Sequence, residues 1–302
     1  MISSEKFNFG FQYCEQVSKA FHGETLLTYL AQKFRHSNEV EWRARIDKNH
    51  VLINETHASA DSILNKGDWV SWQRPPWIEP TAPTEFIVLF EDDDILAVAK
   101  PAGLPTLPGA NFFQNTLLHQ VQCYAANATP LHRLGRWTSG IVLCARTHAA
   151  RKELLRQWSV RAVLKRYRAL AAGAPDWNTL TVRTPIGPVP HALLESVHAA
   201  SPKGKAALSH ITVRERRENG FVCDVTIETG RPHQIRIHLA AAGHPLVGDP
   251  LYGFGGVPKP DTLAVPGDPG YSLHATELRF RHPHSGQSML IECEPPELLR
   301  LR

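Results

Sequence analysis

Four prolines within eleven residues constrain this chain more than any other stretch of its sequence. They lie in RPPWIEPTAPT, residues 74–84, where proline removes backbone donors and excludes both a helix interior and a central strand. The segment predicts an extended linker over residues 75–85. It would separate a small module, residues 1–74, from a larger domain, residues 86–302. A chain of 302 residues is long enough for two unequal units of this kind.

The small module is predicted to contain two helices followed by a hairpin. TLLTYLAQKF, residues 25–34, places its apolar residues at helical spacing, and EWRARI, residues 41–46, predicts a second short helix. VLIN and GDWVSW then predict two short strands. Arg43 and Arg45 are expected to be exposed together on the second helix. This pattern is typical of a small RNA-binding module, or equally of a capping subdomain with a solvated basic face.

The larger domain is dominated by strand-like runs. They are EFIVLF, DILAVAK, SGIVLCAR, YRALAAG and GFVCDVTIET, and the last alternates as a half-buried antiparallel strand does. Helical patterns are fewer, with one near residues 149–158. A second should begin at Pro232 and end before Gly243, a length of about three turns. The fold class predicted is α+β, with a mixed, mostly antiparallel sheet and flanking helices.

Composition narrows the function classes only slightly. The formal net charge is +4, which a nucleic-acid binder shares with many other proteins. The five cysteines are scattered, so neither a disulfide framework nor a zinc site is indicated, and a reducing cytoplasm is expected. Neither a membrane span nor a signal pattern is predicted. We expect no metal and a monomer.

Two segments concentrate basic residues. HRLGRWTSG, residues 132–140, sets His132, Arg133 and Arg136 around Gly135 just before an apolar run. The predicted helix after Pro232 places Arg236 near the positively charged N-terminal end of the helix. A cation is unfavourable there unless an anion lies beside it. That anion could be a phosphate or a partner carboxylate. Alternatively, the arginine could reach solvent or a carbonyl group. A metal site at His233, His238 and His244 is disfavoured, because a spacing of five residues does not place two histidines on one helical face.

With these motifs together, residues 86–296 resemble the RluA-type RNA pseudouridine synthases. Six segments occur in the order typical of that family: EDDDILAVAKPAGLPTLPG, LHRLGRWTSGIVLCAR, LKRYRALAAG, GKAALSHITV, TGRPHQIRIHLAAAGHPLVGDPLYG and LHATELRFRHP. Residues 24–74 resemble, less sharply, the S4-type RNA-binding domain. The resemblance implies a pseudouridine synthase fold preceded by an S4-like α/β module. It also implies a tRNA or rRNA substrate and catalysis without cofactor or metal.

The resemblance also implies roles for individual residues. The target uridine must leave its stack, and Arg133 matches the arginine that fills the vacated space. Tyr167 matches the tyrosine that lines the base, Arg236 the basic residue that pairs with the catalytic carboxylate, and Leu273 an apolar wall. His132, Arg231, Arg43 and Arg45 complete the side chains expected to contact RNA.

One position departs from the family pattern. The family motif reads HRLD, two further residues and TSG, whereas this chain has Gly135 at the aspartate position. Losing an essential nucleophile commonly costs about 10⁴ to 10⁶ in rate. Glu228 near the helix start could supply a relocated carboxylate, while Asp249 matches a structural position.

Three hypotheses follow from this departure. The first is a working RNA pseudouridine synthase, which we favour because the other pocket residues retain their types. The second is a catalytically inactive RNA-binding protein that keeps the synthase fold. The third is an enzyme of altered reaction type in the same cleft.

Overall fold

The computed structural model describes residues 7–302, which form two compact units dividing between Glu79 and Pro80. The division lies within the proline-rich segment. Residues 77–79 pair with the start of the first unit, because the Asn8 N–H donates to the Trp77 carbonyl at 3.0 Å and the Asn8 side chain donates to Glu79 at 2.7 Å. No helix in residues 7–302 combines the length and apolar character needed to cross a bilayer.

The first unit packs two helices on a four-stranded sheet with strand order β1-β4-β2-β3. Its elements are β1 (Phe11–Gln16), α1 (Leu26–Lys33), α2 (Glu39–Asp47), β2 (Val51–Ile53), β3 (Thr56–His57) and β4 (Trp69–Arg74). Both predicted helices and the antiparallel pairing of β2 with β4 are present. The sequence reading missed β1, which pairs with β4 along its whole length.

Capping residues set where these helices begin. Thr25 caps α1 by accepting from the Thr28 N–H at 3.2 Å, and Asn38 with Glu41 forms a capping box at α2. Arg45 differs from the expectation, because it is half-buried and its guanidinium carbon lies 4.5 Å from the Trp42 ring and 4.7 Å from the Trp72 ring. Arg43 is exposed as predicted.

The second unit is built on a ten-stranded sheet, with main strand order β10-β13-β14-β9-β15-β8-β6-β5. The strands of that sheet are β5 (Ile87–Glu91), β6 (Ile95–Lys100), β7 (Thr129–Pro130), β8 (Ser139–Ala145), β9 (Leu164–Ala171), β10 (Thr179–Val182), β13 (Ser209–Arg217), β14 (Gly220–Ile227), β15 (Leu273–Arg281) and β16 (Ser288–Glu292). Two further strands, β11 (Ile186–Pro190) and β12 (Ser196–Ala200), form a separate two-stranded sheet. The helices of the second unit are α3 (Leu117–Tyr124), α4 (His148–Ser159) and α5 (Gln234–Ala241).

The sheet is mixed and mostly antiparallel, which confirms the predicted fold class. β8 and β15 pair in parallel, and the other strand pairs in residues 7–302 are antiparallel. The parallel pair brings Gly140, with φ +105°, against Ala275 so closely that a Cβ there would lie 2.3 Å from the Ala275 carbonyl oxygen. Glycine is therefore required at this position of the TSG motif.

Two predicted elements differ from the structure. β14 was expected to be half-buried, but it lies inside the sheet between β13 and β9 and is buried on both faces. α5 begins at Gln234 rather than Pro232 and spans eight residues, because His233 adopts a left-handed conformation with φ 54°. His233 therefore precedes the helix and does not share a helical face with Arg236.

Candidate active site

The loop before β8, residues 131–138, is held in place by the segment that follows β6. Lys100 Nζ donates to the Arg136 carbonyl at 3.1 Å, and the Thr106 hydroxyl donates to the Leu134 carbonyl at 3.0 Å while accepting from the Leu134 N–H at 3.2 Å. Burial lowers the pKa of Lys100 to about 7, while the carbonyl oxygens around Nζ favour its charged form. The backbone of this loop is thus fixed by contacts outside the loop.

Gly135 lies exposed in this loop, facing a tyrosine hydroxyl. A Cβ built on Gly135 would lie 3.2 Å from Tyr271 Oη and 3.4 Å from Thr138 Oγ1, with no backbone atom among the contacts within 4 Å. The φ of Gly135 is not in the left-handed region. The backbone therefore does not require glycine here, and the Tyr271 hydroxyl occupies the space in which a side chain would grow.

Tyr167 lies in β9, between β14 and β15 in the sheet. It lies opposite Val225 of β14 and Ala275 of β15, is 8% exposed, and shares one hydrophobic core with Leu273 and Tyr271. Burial raises the pKa of Tyr167 to about 12, so its phenol is protonated at neutral pH. Ile235 and Leu239 of α5, together with Leu134 of the loop, pack into the same core.

Arg236 is buried and fully engaged by a carboxylate. Its Nε and Nη2 donate to Asp249 at 2.7 and 2.9 Å, and Nη1 donates to the Pro266 carbonyl at 3.0 Å. The guanidinium carbon also lies 4.2 Å from the Tyr271 ring and 4.9 Å from the Tyr252 ring. Burial by itself raises the pKa of Asp249, but the Arg236 hydrogen bonds outweigh it and hold the pKa below its ordinary value. Several interpretations of Arg236 were left open by the sequence. The structure supports the one in which a carboxylate is its partner, and that carboxylate comes from this chain.

His233 lies next to this ion pair as a neutral ring. The Tyr252 hydroxyl donates to the His198 carbonyl at 2.6 Å, so His233 Nδ1–H donates to the Tyr252 oxygen at 2.7 Å. Burial, followed by the charge of Arg236, lowers the pKa of His233 to about 3. The charge of the exposed Arg133 guanidinium contributes to the same lowering of the His233 pKa.

Three predicted residues take positions that the sequence did not indicate. The His132 ring stacks on Trp158 at 5.3 Å and accepts from the Leu143 N–H at 3.1 Å. Arg231 is half-buried, with Nε donating to the Ala206 carbonyl at 3.1 Å. Glu228, considered as a relocated carboxylate, bonds to His210 at 2.9 Å and lies half exposed. These contacts give each of the three a structural partner.

A separate cavity of about 500 Å³ is lined by residues that include Lys100, Ser139 and His274. His274 Nε2–H donates to the Cys293 carbonyl at 3.3 Å, so Nδ1 accepts from the Ser139 hydroxyl at 2.8 Å. Burial lowers the pKa of His274 to about 4, and this ring is neutral at pH 7.

The structure thus places Gly135 and Arg236 next to Tyr271, and Tyr167 and Leu273 belong to the same hydrophobic core as Tyr271; we call these five residues the Tyr271 cluster. Sequence reasoning missed Tyr271 and did not assign Asp249 as the partner of Arg236. A signal for Tyr271 was present, because it lies two residues before Leu273 and strand periodicity would place both on one face.

Comparison with known proteins identifies the family. A family model described as RNA pseudouridylate synthase matches residues 94–241. The chain is 38% identical to an RNA pseudouridine synthase of Synechocystis sp., over 91% of this chain and 95% of that protein. It is also 38% identical to the ribosomal large subunit pseudouridine synthase D of Nitrosomonas europaea, over 70% of this chain and 62% of the relative.

A solved structure supports the fold. Human RNA pseudouridylate synthase domain containing 1 superposes with a TM-score of 0.57 at 24% identity, covering 72% of this chain and 86% of that one. The fold, the ordered motifs and the long alignments agree, and the chain belongs to the RluA-type RNA pseudouridine synthases, a family of isomerases.

Proposed function

We propose that the second unit isomerises uridine to pseudouridine in ribosomal RNA, using the Tyr271 cluster as its active site. The observation that carries this proposal is that Tyr271 adjoins both position 135 of the family motif and the buried Arg236, in a hydrophobic core that also contains Tyr167 and Leu273. A relative whose name specifies the ribosomal large subunit supports rRNA as the substrate class. We further propose that the protein acts in the cytoplasm as a monomer.

The side chains at the site suit an everted uridine. Arg133 is exposed, and no hydrogen bond or ion pair to it is present in residues 7–302, so its guanidinium is available to fill the space that the base leaves. Tyr167 and Leu273 are 8% and 6% exposed, and we propose that the base packs against these two side chains. Because its phenol is protonated, Tyr167 can also donate a hydrogen bond to a uracil carbonyl.

The direct test is pseudouridine formation on unmodified RNA. The purified protein would be incubated with in vitro transcripts of bacterial 23S rRNA, 16S rRNA and a tRNA pool, and pseudouridine mapped chemically at single-nucleotide resolution. We expect modification of an rRNA transcript by the native chain. For Tyr167→Phe we expect a rate lower by about 10²-fold or more, because the hydroxyl that meets the base is lost.

The matched control is Tyr124→Phe, which removes a hydroxyl from the exposed end of α3, where it bonds to Glu91. Its rate should equal that of the native chain. If the native chain binds RNA but forms no pseudouridine, it is a non-catalytic RNA-binding protein. Modification of tRNA alone would refute rRNA as the substrate class while leaving the isomerase activity intact.

We propose that the first unit is an S4-like RNA-binding module. Arg43 is exposed on α2, whereas Arg45 donates to Ser37 at 2.8 Å and lies against two tryptophan rings. Arg43 is therefore free to contact phosphate, while Arg45 shapes the surface. Exposed aromatic residues on the same unit, Tyr13 and Trp69, offer stacking surfaces for unpaired bases.

Arg43→Ala is expected to weaken binding to the rRNA transcript. It should also lower the slope of log K against log salt by about 0.7–0.9, the contribution of one phosphate contact. Fluorescence anisotropy across a salt series measures both effects. Lys152→Ala, at an exposed position on α4 in the second unit, is the control. An unchanged slope for Arg43→Ala would remove this residue from the RNA surface.

A further inference from the structure

Resting on the proposed function, we infer that the Tyr271 hydroxyl is the acid–base group of this site and takes the place of the carboxylate absent at Gly135. The two positions are adjacent. A Cβ on Gly135 would lie 3.2 Å from Tyr271 Oη, so an aspartate there would contact this hydroxyl. The atoms within 4 Å of that Cβ are the hydroxyl oxygens of Tyr271 and Thr138, so side chains rather than backbone limit the size of a residue at position 135.

The Tyr271 hydroxyl is unusual among the nearly buried tyrosines near Arg236. The side chain is 7% exposed, and within residues 7–302 its hydroxyl has no hydrogen-bond partner. The hydroxyl oxygen itself is not fully buried, so it is the part of the side chain that reaches solvent. The neighbouring Tyr252 differs, because its hydroxyl is bonded to both His198 and His233. Tyr271 alone of this pair has a hydroxyl free to meet a substrate.

Arg236 provides the electrostatic support that such a group needs. Its guanidinium carbon lies 4.2 Å from the Tyr271 ring, and Asp249 and the Pro266 carbonyl fix its orientation. A cation held over the ring stabilises the negative charge that appears when the phenol gives up its proton. The stabilisation is preorganised, because Arg236 is buried and bound before any substrate arrives.

The isomerisation can be balanced with this one group. When the N1–C1′ bond breaks, its electron pair goes to the uracil ring, and Tyr271 gives its proton to uracil O2. C1′ becomes cationic, and the phenolate is its counter-charge. After the base turns, C5 forms the new bond to C1′ with ring π electrons, and the phenolate takes the proton that C5 loses. The proton on O2 moves to N1 by tautomerisation. Tyr271 is again a phenol, and no co-reactant is consumed.

The experiment compares three proteins on the unmodified rRNA transcript that the native chain modifies. They are the native chain, Tyr271→Phe, and the double variant that combines Gly135→Asp and Tyr271→Phe. Tyr271→Phe should lower the single-turnover rate of pseudouridine formation by about 10²–10⁴-fold. RNA affinity and thermal midpoint should be unchanged, because the removed oxygen has no partner in the described chain. The double variant should recover activity, since the lost hydroxyl leaves room for the aspartate side chain.

Tyr124→Phe again serves as the matched control. A Tyr271→Phe chain as active as the native protein would overturn this inference while leaving the proposed function standing. A native chain inactive on every transcript would overturn the proposed function and this inference with it. Failure of the double variant to exceed Tyr271→Phe would show that the two positions do not share one chemical role, and would also count against the inference.

Discussion

Arg236→Met is expected to lower the free energy of unfolding by about 3–5 kcal/mol, because it leaves the Asp249 carboxylate buried without its counter-ion. The arginine side chain is 2% exposed and the aspartate side chain 1% exposed, so water cannot replace the lost partner. Asp249 also accepts from the N–H groups of Leu251 and Tyr252, which hold the carboxylate in place when the arginine is gone. Urea unfolding followed by circular dichroism measures the change.

The double variant Arg236→Met with Asp249→Leu separates the ion pair from packing. It should be less destabilised than the sum of the two single variants, because neither charge is then buried alone. Arg156→Met is the control, since Arg156 pairs with Glu153 on the exposed face of α4 and should change stability by less than about 1 kcal/mol. A loss below that value for Arg236→Met would mean that the buried pair is not a structural element.

Acidification is expected to destabilise the second unit steeply below pH 6.5. His132, His233 and His274 have pKa values lowered, chiefly by burial, to about 4, 3 and 4. In the unfolded chain a histidine titrates near pH 6.5, so between pH 6.5 and 4 the unfolded state binds protons that the folded state does not. The contribution of these rings to the free energy of unfolding is therefore fully present above pH 6.5. It decreases as the pH is lowered, by at most about 4 kcal/mol per pH unit for the three rings together.

Urea unfolding at pH 7, 6 and 5 checks this slope. His132→Gln should reduce it by about one third, because the glutamine carbonyl can still accept from the Leu143 N–H but takes up no proton. His57→Gln, at an exposed position in the first unit, should leave the slope unchanged. Equal slopes for the native chain and His132→Gln would show that this ring is not buried in its neutral form.

Local patterns predicted four of the five helices and seven of the sixteen strands in residues 7–302, and they did not predict α3. Helical patterns placed α1, α2 and α4 within one or two residues of their observed ends. Strand runs such as DILAVAK and SGIVLCAR correspond to β6 and β8. The errors came where neighbours decide the outcome: β14 is buried on both faces because β9 and β13 flank it, and α5 begins late because His233 turns toward Tyr252.

The sequence by itself determined the proline-marked division, the α+β class, the family and the absence of an aspartate at position 135. Each of these depends only on neighbouring residues or on the order of the motifs along the chain. Only the tertiary structure decided which carboxylate meets Arg236 and which hydroxyl faces Gly135. Those partners come from distant parts of the chain, and a charge or hydroxyl acquires its burial and its neighbours only when the sheet, α5 and the loop pack together.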